Sequence, residues 1–199
     1  MSKISSSYHH GGLREKLLEL TVKLVNESGT DAVSMRKLGE HLGVSRTALY
    51  HHFKNKEDLL SAVAAKGFSD WKHTCENMFQ DGDQSEHEKL ANYIKGYLNF
   101  AISHKQVYEL MFGKALWLSG QSSDELKRVA YRSFEYHLEL IKRWQQEGIL
   151  SANEDSLRLA QVSWGALHGL SRLFIDGLYI EPKNLDAMAD TVLRLLTNT

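Results

Sequence analysis

The scarcity of proline constrains this chain more than any other feature of its sequence. Its 199 residues contain a single proline, whereas an ordinary usage of about 5% would give roughly ten. Proline removes a backbone N–H and breaks helices, so its near absence predicts long helices. No segment alternates as a half-buried β-strand does. We therefore expect an all-α fold of about nine helices, with an N-terminal three-helix head on a C-terminal helical bundle.

Composition excludes several classes of protein. The hydrophobic fraction is 42% and the charged fraction 25%, as in ordinary globular proteins, so a mainly disordered chain is excluded. No apolar run approaches the roughly 18 residues of a membrane span, and residues 1–12 lack the apolar core of a secretory signal. The single cysteine, Cys75, cannot form an internal disulfide, which suits a reducing compartment. We expect a cytoplasmic protein with no membrane partner.

Charge is unevenly distributed along the chain. The net charge is −1, yet residues 1–66 carry ten Lys and Arg against seven Asp and Glu. The remainder of the chain is correspondingly acidic. A basic head on an acidic body predicts that an anionic partner binds the head.

Turn-forming residues divide the chain into segments. We interpret residues 1–12 as a flexible arm, residues 13–57 as a helix-turn-helix unit and residues 56–80 as a long connecting helix. After a polar turn, residues 81–199 form the predicted C-terminal ligand-binding and dimerisation domain. Within it the apolar periodicity predicts five helices, at 86–104, 105–113, 123–147, 154–178 and 184–197.

The strongest motif is a pair of short helices joined by a tight turn. Ser34 can cap a helix from Met35 to Leu42 with its hydroxyl, and Ser45 can cap a second helix over 46–53. Gly43 lies in the turn between them. This arrangement predicts a helix-turn-helix, whose second helix enters the major groove of DNA.

The second helix carries donors suited to reading bases. We expect Arg46, Thr47, Tyr50 and His51 to be exposed and Leu49 to be buried with Phe53. Arginine can pair with guanine, threonine can contact a base or a thymine methyl, and nearby lysines neutralise phosphates. The candidate DNA-binding residues are Ser34, Arg36, Ser45, Arg46, Thr47, Ala48, Tyr50, His51, His52, Lys54 and Lys56.

Two capped helices also occur in ordinary helical domains, so a second hypothesis stays open. The chain could be a helical adaptor that binds only protein. Such an adaptor has no need of arginine and lysines clustered with Thr47 and Tyr50 on one small unit, which favours DNA binding.

Aromatic residues in the C-terminal half suggest an apolar cavity. They recur at helical spacing, which fits either a cavity for an apolar or aromatic effector or a plain packed core. His168 likewise fits a packing role as well as a ligand contact. The candidate effector residues are Trp71, Tyr97, Phe100, Met111, Trp117, Tyr131, Phe134, Trp164 and His168.

The last two predicted helices carry apolar stripes wider than a lone amphipathic helix needs. This pattern predicts a dimer interface between copies of the chain. Its candidate residues are Leu167, Ser171, Phe174, Leu178, Met188, Val192 and Leu195.

Metal and catalytic motifs do not emerge from the sequence. The ten histidines include no H-E-x-x-H pair, and His51 and His52 point about 100° apart on a helix. There is no G-x-G-x-x-G, no P-loop and no nucleophile elbow around Cys75. We expect no metal, no cofactor and no enzymatic activity.

The head resembles a known family. Residues 34–60, SMRKLGEHLGVSRTALYHHFKNKEDLL, are similar to the DNA-binding signature of TetR-type (TetR/AcrR) transcriptional regulators, which ends L-Y-x-H-F-x-x-K-x-x-L. Residues 8–14, YHHGGLR, resemble the entry of one subgroup, and Trp164 to Gly169 resembles a W-x-x-x-H-G stretch of its C-terminal domain.

The resemblance implies a homodimeric repressor that reads a palindromic operator and is released by a small molecule. By position, Tyr50 and His52 would contact operator phosphates, and Lys56 would lie near the DNA backbone. Arg14 and the arm before it would also approach phosphate. The last two helices would form a four-helix bundle across the two-fold axis.

Overall fold

The computed structural model of the chain describes residues 10–80, 83–118, 120, 122–178 and 180–197. These residues form ten α-helices, two short 3₁₀ turns and no β-strand. The α-helices are α1 (His10–Ser28), α2 (Met35–Leu42), α3 (Arg46–Tyr50), α4 (Lys56–Met78), α5 (Glu86–Ser103), α6 (Lys105–Phe112), α7 (Lys114–Trp117), α8 (Asp124–Gln146), α9 (Ser156–Asp176) and α10 (Leu185–Thr197). Nine of the ten match the predicted helices, so the all-α prediction is confirmed. The tenth, α7, is a single turn.

Two boundaries differ from the sequence prediction. Helix α1 begins at His10, so residues 10–12 are helical and not part of an arm, while residues 1–9 lie outside the described residues. Glycine weakens a helix by only about 1 kcal/mol, which the packing of α1 against its neighbours outweighs. Helix α3 ends at Tyr50, three residues before the predicted end, because His51 and His52 form a turn.

Side-chain caps mark the start of five of the ten α-helices: α3, α4, α5, α8 and α9. The Ser45 hydroxyl accepts a hydrogen bond from the backbone N–H of Ala48 at 3.2 Å, and Ser85 forms a full capping box with Glu88. Ser34 occupies the N-cap position of α2, but its side chain makes no capping bond. The predicted capping role of the Ser34 hydroxyl is therefore wrong.

The head, α1 to α3, has its own apolar centre. Leu17, Leu38 and Leu49 are fully buried, and Phe53 is 2% exposed. Gly39 lets α2 and the turn approach, since a Cβ there would lie 3.2 Å from the carbonyl oxygen of Val44. This packing fixes α3 on the surface of the head.

Helix α4 joins the head to the body. It packs against α1 in the head and against α5, α6 and α8 in the body. In its second turn, the buried Ser61 hydroxyl accepts from the backbone N–H of Ser123 at 2.9 Å, at the start of α8. A tilt of α4 therefore displaces the head relative to the body.

The body is a bundle in which α5, α8 and α9 pack together and α10 covers α5. Its largest fully buried side chains include Trp144, Tyr93 and Tyr108. No helix among the described residues is long and apolar enough to span a bilayer.

Candidate nucleic-acid interface and ligand cavity

Helix α3 presents one face to solvent. Leu49, below it, is fully buried, whereas Arg46, Thr47 and Tyr50 are exposed and Ala48 is half-buried. The five-residue helix is thus held by one leucine and the Ser45 cap, and the exposed side chains are free to meet a groove.

Arg46 and Tyr50 form a pair one helical turn apart. The Arg46 guanidinium donates to the Tyr50 hydroxyl at 3.2 Å and lies 5.4 Å from the centre of its ring. A guanidinium has five N–H donors in a rigid fork, so this contact orients Arg46 and leaves donors for a base edge.

The other candidate DNA-binding residues surround α3. Arg36 forms an exposed ion pair with Glu40 at 2.6 Å, and Arg36 and Arg46 line one small groove between α2 and α3. Ser45, His51 and Lys54 are exposed, and Ser34, His52 and Lys56 are half-buried.

Arg14, a partly exposed residue of α1, reaches the body. Its guanidinium lies 3.3 Å from the carboxylate of Glu125 on α8 and 5.3 Å from the ring centre of Phe53. In this conformation Arg14 connects α1 to the body.

A cavity of about 380 Å³ opens among α4 to α9. Eight of the nine candidate effector residues line it: Trp71, Tyr97, Phe100, Met111, Trp117, Tyr131, Phe134 and Trp164. Seven residues outside the candidate set also line it: Phe68, Tyr93, Tyr108, Phe112, Ala130, Ser133 and His137. Helical spacing gives a signal for some of these, since Phe68 lies three residues before the candidate Trp71 and Tyr93 lies four residues before the candidate Tyr97.

His168 is not part of the wall. It lies behind the wall, stacked on Trp164 with ring centres 5.6 Å apart, and its Nδ1 is 2.7 Å from the Tyr108 hydroxyl. This cavity therefore does not support its choice as an effector residue, because helical spacing places His168 beside Trp164 without fixing its depth.

Aromatic rings hold the cavity wall together. The Trp71 ring lies 5.2 to 5.5 Å from the rings of Tyr93, Tyr97 and Phe100. Such edge and tilted contacts are each worth about 0.5–1.5 kcal/mol beyond burial. The wall is thus fixed in shape by the rings that line it.

His137 is a deeply buried histidine of the wall. It is 3% exposed, and burial lowers its pKa to about 4, so the ring is neutral at pH 7. Its Nδ1 lies 2.8 Å from the Tyr93 hydroxyl, and its Nε2 lies 3.2 Å from the carbonyl oxygen of Ala160. The ring therefore ties α8 to α5 and α9.

Helix α6 contacts both the cavity and the head. Tyr108, Met111 and Phe112 face the cavity, while the helix packs against α1 and α4. A Cβ on Gly67 of α4 would lie 2.6 Å from the sulfur of Met111, so only glycine permits this approach. A change in the cavity can thus reach α4 directly.

The candidate dimer residues do not lie together. Leu167, Ser171, Phe174 and Val192 are buried within the single chain, so in this structure they offer little surface to a second copy. They fill the packing of α9 and α10 against their own neighbours. Leu178 and Leu195 are 53% and 74% exposed, and Met188 is half-buried.

A different stripe of α9 is open. Val162 is 67% exposed, and Gly165, Ala166 and Gly169 beside it are also exposed. A Cβ built on either glycine would meet nothing within 4 Å. This face of α9 is flat, and no other part of the described chain covers it.

Across the described residues, no group of three or more His, Cys, Asp or Glu is placed to hold a metal ion. Cys75 is buried, and burial raises the pKa of its thiol well above the usual range, so it is a poor nucleophile.

Comparison with protein families gives two matches. Residues 17–63 match the model of the bacterial regulatory proteins of the tetR family. Residues 90–196, more than half of the chain, match the tetracycline repressor-like C-terminal domain. The two matches cover the head and the body respectively.

Individual relatives agree with these matches. A transcriptional regulator of Staphylococcus aureus, SAR2658, is 27% identical over 142 residues, which is 70% of this chain and 76% of that protein. The class D tetracycline repressor of Escherichia coli is 42% identical over 53 residues, 27% of this chain and 24% of that repressor.

Solved structures share the fold. A Rhodococcus sp. RHA1 protein described as of unknown function has a TM-score of 0.81 and 26% identity, over 97% of this chain and all of that chain. The TetR-family regulator PfmR of Thermus thermophilus has a TM-score of 0.64 and 23% identity, over 89% of this chain and 97% of that chain.

Proposed function

This chain belongs to the tetR family of bacterial regulatory proteins, and from that premise we propose that it is a homodimeric repressor released from a palindromic operator by a small molecule. As a family member it is a DNA-binding regulator of transcription and not an enzyme. Repression, effector release and the residues responsible are the proposal.

The observation that carries the proposal is the exposed face of α3. Three exposed donors lie on this helix, Arg46, Thr47 and Tyr50, and the buried Leu49 packs the helix against the head. A major groove accepts a helix, and Arg46 held by Tyr50 is oriented to pair with guanine. We assign Lys54 and Lys56 to phosphates, whose neutralisation makes affinity steeply salt-dependent.

The test is a selection of random duplex DNA against the purified protein at moderate salt, followed by sequencing. We expect a palindromic motif whose half-sites are about one helical turn, ~34–36 Å, apart. Repeating the selection with Arg46→Ala should relax one position of the motif, while the control Arg128→Ala, on the exposed surface of α8, should leave it intact. A folded protein that enriches no motif would favour the adaptor hypothesis.

We assign dimerisation to the open stripe of α9 with the exposed end of α10. Four residues of α9 form a flat apolar surface: Val162, Gly165, Ala166 and Gly169. On α10, Leu195 exposes an apolar side chain. Small residues let two helices approach closely, and a two-fold axis places the same patch on both subunits. This supports a bundle of α9 and α10 from two copies.

We assign the effector to the aromatic cavity. A ligand that displaces Met111 or Phe112 moves α6, and α6 contacts α4 across Gly67. A tilt of α4 changes the separation of the two heads and so the fit to successive grooves. To shift a mostly operator-bound population to mostly free, the ligand must bind the free form more tightly by several kcal/mol.

Because its target is chromosomal DNA, we place the protein in the bacterial cytoplasm. The operator found by selection supplies the probe for an effector screen, in which a true effector raises the midpoint of the operator titration. If every compound that binds the cavity leaves operator affinity unchanged, the cavity does not control DNA binding.

A further inference from the structure

The walls of the cavity carry no charged side chain among the fifteen described residues that line it. Eleven of the fifteen are phenylalanine, tyrosine or tryptophan. Taking the cavity as the effector site proposed above, we propose that it binds an uncharged aromatic molecule bearing a hydrogen-bond donor, a phenol or an aryl N–H, which donates to the hydroxyl oxygen of Tyr93.

The absence of charge in this wall selects against ionic ligands. A buried carboxylate or ammonium pays a large desolvation cost unless an opposite charge accompanies it. The wall holds neither lysine nor arginine for an anion, and neither aspartate nor glutamate for a cation. His137 stays neutral at pH 7 because burial lowers its pKa to about 4. Ring faces attract cations, so a cationic ligand is the alternative that the test must include.

The two ring nitrogens of His137 have opposite hydrogen-bonding roles, one as donor and one as acceptor. Its Nε2 lies 3.2 Å from the carbonyl oxygen of Ala160, and a carbonyl oxygen can only accept. The Ser163 hydroxyl, 3.1 Å from Nε2, donates to the same carbonyl oxygen and can accept from the ring. A neutral imidazole has one N–H, so Nε2 carries the proton and Nδ1 accepts. The Tyr93 hydroxyl, 2.8 Å from Nδ1, therefore donates to it. Its proton is used inside the wall, so the hydroxyl can only accept from a ligand, at the lone pair that the Trp71 indole N–H does not use.

The acceptor lies at the enclosed end of the cavity. Tyr93 is 2% exposed, whereas Tyr131, also in the wall, is 71% exposed and marks the opening. The rings of Trp71 and Phe100, which also line the cavity, contact each other with centres 5.4 Å apart and present apolar surface to a ligand. A flat aromatic molecule can pack against this surface with its donor directed inward to Tyr93.

A series of naphthalenes on one ring system tests the proposal by calorimetry with the full-length wild-type protein. The series is naphthalene, 2-naphthol, 2-methoxynaphthalene, 2-naphthoate and 2-naphthyl-trimethylammonium. We expect 2-naphthol to bind about three- to tenfold more tightly than 2-methoxynaphthalene, which has an oxygen but no donor. The carboxylate and the ammonium should bind at least roughly tenfold more weakly than 2-naphthol.

A hydroxyl deletion then locates the acceptor. In Tyr93→Phe the preference for 2-naphthol over 2-methoxynaphthalene should vanish. The control Tyr136→Phe removes a hydroxyl from a half-buried tyrosine of α8 that does not line the cavity, and it should keep the preference. Should Tyr93→Phe fail to fold by circular dichroism, the wild-type series alone still decides the donor requirement.

Three results would overturn the inference: no preference for 2-naphthol, equal or tighter binding of either charged compound, or no binding by any member of the series. Operator titrations run in parallel separate this inference from the proposed function. Naphthalenes that bind without preference and release the operator would leave the regulator proposal standing. A protein that binds no operator would refute that proposal, while the calorimetry would still decide the ligand class.

Discussion

Acidification should destabilise this protein through His137. In the folded chain burial lowers the His137 pKa from 6.5 to about 4, against a smaller opposing effect of its hydrogen bond to Ala160. The unfolded chain therefore binds more protons between these two values. The stability that comes from keeping the ring neutral is fully present above about pH 6.5 and is lost as the pH falls toward 4.

The size of the effect follows from the two pKa values. Between pH 7 and pH 5 they give a loss of about 2 kcal/mol in the free energy of unfolding. For a chain of this length that corresponds to a fall of roughly 4–8 °C in Tm. The pKa of His168 is also lowered, by burial and by Arg172, and this acts on stability in the same direction, so the wild-type curve alone does not isolate His137.

Thermal unfolding at pH 7 and pH 5, at one fixed protein concentration, should be compared across three proteins. In His137→Gln, the amide can still donate to Ala160 but does not titrate, so its loss on acidification should be about 2 kcal/mol smaller than that of the wild type. The control His87→Gln changes an exposed histidine and should match the wild type. An equal loss in wild type and His137→Gln would refute the reasoning.

Three further outcomes are expected. Leu49→Ala empties the fully buried site below α3 and should lower the free energy of unfolding in urea by about 3 kcal/mol; an unchanged midpoint would show that α3 is not anchored there. Lys56→Ala should weaken binding to all duplexes alike and reduce the slope of log affinity against log salt by about one, and an unaltered slope would remove Lys56 from the phosphate contacts. Val162→Asp should yield a folded monomer in sedimentation velocity, while Leu118→Asp, at an apolar position 78% exposed elsewhere, should stay dimeric; a dimeric Val162→Asp protein would move the interface away from the α9 stripe.

The head was largely predictable because its signals are local. Ser34 and Gly43 mark the ends of α2, and the structure places α2 between them as expected. The spacing of Leu49 and Phe53 likewise predicts their burial, which the structure bears out. In short helices whose ends are marked by N-cap residues and a turn glycine, residues close in sequence are also close in space.

The interface between copies could not be predicted in the same way. Leu167 and Phe174 form an apolar stripe that looks the same whether the covering helix belongs to the same chain or to another. In the structure, helices of the same chain cover it, and the open face is the one with Val162 and the small residues. Periodicity identifies which side of a helix is apolar but not what covers it.

The cavity shows the same limit over longer distances. Tyr93 and His137 are 44 residues apart, and no spacing rule joins them. The aromatic content of the body predicts that rings meet, yet the arrangement that leaves space between them depends on how α4, α5 and α8 cross. Depth in the wall, which separates Trp164 from His168, is likewise a property of the assembled bundle.

The double contact of α6 limits how this regulator can evolve. Eight residues, Lys105–Phe112, contribute to the cavity wall on one side and support α1 and α4 on the other. A substitution at Met111 that admits a larger inducer also alters the packing contact between Met111 and Gly67 of α4. Under the proposed mechanism, variants selected for a new inducer through α6 will therefore tend to change basal expression of the controlled gene. Variants of Tyr131, a wall residue that is 71% exposed, leave the contact between Met111 and Gly67 in place. For biosensor engineering, Tyr131 is thus a better position to randomise than Met111.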